Sequence, residues 1–138
     1  MDPFIDVALF HRKFDLHEVA LVGEPGPVDI TPELMEFRTG FMKEELQEFI
    51  DASATMDHAG MADALVDLVY VAVGTAHLFG YPWEALWNDV QRANMTKERA
   101  AADGSNSTRG TSFDVIKPKG WIPPDTQGIL EEFGWPTS

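Results

Sequence analysis

The sequence predicts an all-α protein, a bundle of four or five helices, and three observations carry that reading. Apolar residues recur at three- and four-residue spacing along most of the 138-residue chain. Two of these stretches open on a capping residue followed by proline, Asp2-Pro3 and Thr31-Pro32. Proline suits that position because the first helical turn leaves its N–H groups unbonded in any case. Strand-like alternation is confined to residues 113–116.

The first helix is expected over residues 4–14, with Phe4, Val7, Phe10 and Phe14 on one face. Residues 22–30, VGEPGPVDI, read as a loop because Gly and Pro interrupt them. The second helix follows Thr31-Pro32 and runs to about residue 53. Glu33 and Glu36 sit in its first turns, where the helix dipole favours anions. Leu34, Phe37, Phe41, Leu46, Phe49 and Ile50 form its apolar stripe. Gly40 lowers helix propensity there and is a candidate for the close approach of another helix. The third helix spans residues 57–79 and stops at Gly80-Tyr81-Pro82. It is apolar on nearly all faces, so it must be covered on several sides, and a second subunit is the expected cover. A fourth helix is expected over residues 83–102. Residues 103–125 form a polar loop rich in Gly, Ser, Asn and Pro, and a short helix closes the chain at 126–133. The whole of residues 1–138 reads as one domain.

Composition narrows the function. The hydrophobic fraction of 44% is that of a folded chain. There is no cysteine, which excludes a thiolate zinc site, a disulfide framework and a thiol nucleophile. The N-terminus lacks a basic segment followed by an apolar core, and the most apolar run, residues 68–79, is shorter than the ~20 residues a bilayer requires. A soluble, cytoplasmic protein without membrane contact is expected. The net charge of −13 disfavours nucleic-acid binding. An acidic protein that binds an anionic ligand must gather its few cations or recruit metal ions.

Glu44, Glu45 and Glu48 lie within one helix. At ~100° per residue, Glu48 stands ~60° from Glu45 and ~40° from Glu44, so all three converge on one region. Asp63 and Asp67, at i and i+4, share a face of the next helix and are its only acids between Met61 and Phe79. The glutamate triplet alone fits a solvated helix face equally well. The aspartate pair is harder to dismiss, because an unpaired buried carboxylate costs several kcal/mol, on the order of 3–5, and no cation stands between Met61 and Phe79. A hard divalent ion held by oxygen ligands from two antiparallel helices meets that need.

Six of the ten Lys and Arg residues follow position 91: Arg92, Lys97, Arg99, Arg109, Lys117 and Lys119. Such a group can face a phosphate chain opposite the metals, or it can complement a helix end. Arg99 reads as the latter. Phe10, His11 and His77 have no functional assignment on chemistry alone, and His77 reads as a hydrogen-bonded core residue.

These motifs resemble a known family. EELQE at residues 44–48, DALVDLVYVAVGTA at 63–76, RANMTK at 92–97 and IKPKGWIPPD at 116–125, with FHRKF near the start, are similar to the MazG-like all-α nucleoside triphosphate pyrophosphohydrolases. The nearest branch is the phosphoribosyl-ATP-pyrophosphohydrolase-like one, with bacterial dUTP-hydrolysing and phage members. The resemblance covers roughly residues 10–125. It implies a helical bundle of that type assembled as a dimer or a dimer of dimers. It also implies hydrolysis between the α- and β-phosphates to a nucleoside monophosphate and pyrophosphate, with Mg²⁺ or Mn²⁺ as cofactor. Glu45, Glu48 and Asp67 would hold metal, and Glu44 would hold a further metal or act as general base. The family's second motif is ExxD. Asp67 matches its Asp, Ala64 occupies the Glu position, and Asp63 stands one residue earlier as a possible substitute ligand. Asn94, Lys97 and Lys117 would contact phosphates, and His11 and Phe10 would line the base pocket. The substrate is expected to be a dNTP, with a lean towards a purine such as dGTP, and dUTP as the alternative. A phage member would work in the host cytoplasm.

Two other classes compete. A non-catalytic helical module could bind a partner through its acidic face, which leaves the aspartates of the apolar helix unexplained. A calcium-binding protein of the EF-hand type fails for want of a DxDxDG loop.

Overall fold

The computed structural model describes residues 1–16 and 25–136. Within them the chain forms α1 (Pro3–Lys13), α2 (Pro32–Ala54), α3 (His58–Leu78), α4 (Trp83–Asn94) and α5 (Thr126–Glu132). A two-residue ladder pairs β1 (Glu98–Arg99) with β2 (Val115–Ile116). The all-α class is borne out. Residues 22–24 of the expected first loop lie outside the described residues, and 25–30 have no regular structure.

Side-chain caps fix the helix starts. Asp2 Oδ1 accepts from Phe4 N at 3.0 Å, and Thr31 Oγ1 from Leu34 N at 3.1 Å. Asp57 Oδ1 accepts from Gly60 N at 3.0 Å and Asp125 Oδ1 from Gly128 N at 3.1 Å. Each satisfies an amide that the first turn leaves without a partner. The three residues between α2 and α3 turn the chain back on itself, with Met56 in the left-handed region at φ 54°. The two long helices therefore run antiparallel and pack on one another, while α1 also packs on α3.

Helix α3 is thus the central element, but its burial is uneven. Val71 and the run from Val73 to Phe79 are buried, whereas Leu65, Val66 and Val69 are exposed. Among the described residues, burial is concentrated in the C-terminal half of a helix that the sequence marks as apolar throughout, with Ala64 buried in its first half. At 21 residues, with an 18-residue window of mean hydropathy 1.4, α3 is long and apolar enough to cross a membrane by length and composition alone. The shorter apolar run read from the sequence understated it. Its packing against α1 and α2 and its two aspartates are those of a bundle's core helix.

The close helix approach occurs at Gly74 rather than Gly40. A Cβ on Gly74 would lie 2.9 Å from His11 Nε2 and 3.0 Å from an Arg38 terminal nitrogen, while one on Gly40 would meet nothing within 4 Å. Helix α4 ends at Asn94, eight residues before the expected limit of 102. Thr96 Oγ1 donates to the Ala93 carbonyl at 2.7 Å, closing the helix end. Beyond it Glu98 pairs with Ile116, Arg99 with Val115, and Ala100 N donates to Asp114 O at 3.0 Å. The stretch KERAAA has high helix propensity, but pairing with a segment far along the chain overrides it.

Candidate metal centre

Antiparallel packing of α2 on α3 brings carboxylates from both helices together. Glu45, Glu48 and Asp67 each place an oxygen so that the three lie within 4.8 Å of one another. Glu45 is buried at 7% exposure, Asp67 is half-buried, and Glu48 opens to solvent. The site is therefore a notch between two helices, closed at Glu45 and open at Glu48.

Its electrostatics are unbalanced. Burial raises the Glu45 pKa above the usual carboxylate range, and the neighbouring Glu48, Asp67 and Glu44 raise it further. The buried Glu45 Oε2 has no hydrogen-bond partner among the described residues. No Lys or Arg forms an ion pair with any of the three acids there. The donor set fits a hard divalent cation: all oxygen, held by two helices, with a spread that two metal–oxygen bonds of about 2.1–2.5 Å nearly span.

Glu44 and Asp63 stand outside this trio, and both are exposed. Glu44 is near enough to act on the Glu45 charge. Asp63 lies one turn before Asp67 on α3, and the structure does not draw its carboxylate into the group.

Arg38 was missed in the sequence. It is 6% exposed, on the face of α2 that also carries Glu45 seven residues later. Its Nε donates to Thr75 Oγ1 at 3.0 Å and a terminal nitrogen donates to the Val71 carbonyl at 3.0 Å. Burial lowers its pKa. The guanidinium anchors α2 to α3 two turns, ~10 Å, from Glu45, and no other described Lys or Arg pairs with the acids. The signal available in the sequence was the seven-residue interval, which places both charges on the stripe facing α3.

Several of the late cations serve the scaffold. Arg92 pairs with Asp89 at 2.7 Å and donates to the Pro123 carbonyl at 3.1 Å. Arg109 pairs with Asp114 at 2.9 Å. Arg99 sits in β1, not at a helix end as expected. Lys97 and Lys117 instead approach one aromatic ring, that of Trp121, at 5.4 and 5.1 Å from its centroid. Asn94 is the exposed last residue of α4, and its carbonyl accepts from Lys97 N at 3.2 Å.

His11 is buried where α1 meets Gly74, its ring 5.5 Å from that of His77. Both histidines are core residues at the α1–α3 contact, as expected for His77. Phe10 is partly exposed and meets Tyr70 edge-on at 5.5 Å, about one turn along α3 from Asp67.

A family model described as phosphoribosyl-ATP pyrophosphohydrolase matches residues 10–94. The chain belongs to this family. The match includes both halves of the carboxylate notch and Asn94, and stops short of Lys97, Lys117 and Trp121. Among curated proteins nothing matches. Membership in the family makes the coarse activity that of a nucleotide pyrophosphohydrolase, and the acidic trio is a group that could bind its metal.

Proposed function

We propose that this single-domain protein hydrolyses a deoxynucleoside triphosphate between the α- and β-phosphates, giving the monophosphate and pyrophosphate, with Mg²⁺ or Mn²⁺ as cofactor. The observation that carries the reading is the Glu45–Glu48–Asp67 notch, three acids within 4.8 Å and no cation paired with them among the described residues. Glu45, Glu48 and Asp67 hold the ion, and Asp63, one turn away and exposed, is available to a larger metal–phosphate assembly. A divalent ion bound there lowers the pKa of water and offsets charge developing on the phosphates. Glu44, exposed beside the notch, takes the proton of the attacking water as the α–β anhydride bond breaks. Lys97, Lys117 and Asn94 receive the phosphate chain, and Phe10, with His11 behind it, borders the base. A purine such as dGTP is the preferred substrate, ahead of dUTP. The protein acts in the cytoplasm as a homodimer or homotetramer.

The test is a panel of dNTPs with and without Mg²⁺, scored by product. Pyrophosphate release that requires the metal and falls by about a hundredfold or more in Glu48→Ala supports the reading. Orthophosphate as product, or undiminished turnover in that variant, overturns it. Faster hydrolysis of dUTP than of any purine would reverse the order of substrates.

A further inference from the structure

The β1–β2 ladder has an uncommon consequence at its open end. Its register pairs Glu98 with Ile116 and Arg99 with Val115, so the next position outward sets Lys97 opposite Lys117. Like charges directly across an antiparallel pair repel and destabilise it. Among the described residues no carboxylate lies within ion-pairing distance of either ammonium, in a chain whose net charge is −13. Acids are abundant, yet none is spent here.

What both lysines do meet is Trp121. Their ammonium groups stand 5.4 and 5.1 Å from its ring centroid, so they are at most about 10.5 Å apart, with the ring's electron-rich faces as the attractive element. The indole is itself fixed. Its Nε1–H donates to the Ala93 carbonyl at 2.8 Å, tying the loop after β2 to the end of α4. Arg92 holds the same loop at Pro123.

We propose that Trp121 is a positioning residue that holds Lys97 and Lys117 together as a two-cation receptor for a condensed phosphate. A ring face attracts ammonium groups without neutralising them. It therefore keeps the two charges close while leaving both available to an anion. A carboxylate in its place would consume the charge. A condensed phosphate offers neighbouring anionic groups to both cations at once, whereas a single phosphate offers one. This inference deepens the phosphate-binding part of the proposed function and rests on that reading for its biological ligand.

The experiment is calorimetric binding of inorganic tripolyphosphate and orthophosphate to the metal-free protein, with thermal unfolding of each variant as a folding control. Wild type binds tripolyphosphate more tightly than orthophosphate. Trp121→Phe keeps a ring face without the indole donor and retains tripolyphosphate affinity within about threefold, whereas Trp121→Leu loses about tenfold, as does Lys97→Gln. In the active enzyme the Leu variant raises KM for the nucleotide by a similar factor more than it lowers kcat. No tripolyphosphate binding by wild type, or undiminished binding in Trp121→Leu, overturns the proposal. Equal losses in the Phe and Leu variants, tracking their melting temperatures, also overturn it by reducing Trp121 to a loop anchor. If no dNTP yields pyrophosphate while the variants order as stated, the receptor stands and the proposed reaction falls.

Discussion

Glu45 is a carboxyl shut off from water by its immediate neighbours, with three other acids acting on it. Its raised pKa has a signed consequence. The native carboxyl keeps its proton to higher pH than the unfolded one. Metal-free protein therefore loses stability as pH rises from the ordinary carboxylate range through the raised Glu45 value. Glu45→Gln removes that loss. Melting in chelator from about pH 5 to pH 8 is the check: the wild-type melting temperature falls relative to the variant's, and added Mg²⁺ raises only the former. A parallel pH dependence in both proteins would show that Glu45 is not the titrating group. Metal binding runs the other way, tightening with pH as Glu45 gives up its proton. Arg38 lies on the same helix stripe but is committed to Thr75 and Val71, so it relieves none of this tension.

At the scale of elements, the notch is as good as the α2–α3 hairpin that builds it. The start of α3 is held by the Asp57 cap on Gly60, and a Cβ on Gly60 would lie 3.0 Å from that of Ala52. Asp57→Ala is expected to cost about 1 kcal/mol, roughly 4 °C in melting temperature. Metal affinity should change little, because the cap lies nearly two turns before Asp63. A tenfold loss of Mn²⁺ affinity in a calorimetric titration would mean that the cap sets the ligand geometry. The polar loop after α4 is also built rather than loose. Asp114 accepts from Ser107, Arg109 and the Val115 amide, which hold its pKa below the usual carboxylate range. These bonds seat β2 against β1 and so set the register that places Lys97 across from Lys117.

Across the whole molecule, apolar surface remains unburied. Leu65, Val66 and Val69 on α3 and Leu46 and Ile50 on α2 are about half exposed or more. Two apolar grooves, about 590 and 450 Å³, run along α1 and α3 and share Val69 in their walls. Exposed apolar area on this scale is typical of an association surface, and a second copy of the chain is the cover proposed above. Sedimentation of wild type at micromolar concentration should give a dimer or larger species, and Val66→Glu with Val69→Glu should shift it to monomer. A monomeric wild type would remove the oligomer from the reading.

The sequence by itself determined the helices whose ends are locally encoded. Asp2-Pro3, Thr31-Pro32, Asp57 and Gly80-Tyr81-Pro82 act within a turn of their own position, so their signals survive any tertiary arrangement. It also determined which acids could converge, because i, i+3 and i+4 geometry is a property of one helix. Tertiary structure decided what depends on contacts distant in the chain. The end of α4 is such a case, where pairing with residues 115–116 overrode helix propensity. The convergence of Glu45, Glu48 and Asp67 oxygens within 4.8 Å, with Asp63 left outside, is another, since it follows from how α2 faces α3. So is the carboxylate notch, which has no paired cation among the described residues because Arg38 bonds to Thr75 and Val71 instead. Local backbone chemistry is written in consecutive residues, whereas the partner of a buried charge is fixed only when the helices meet.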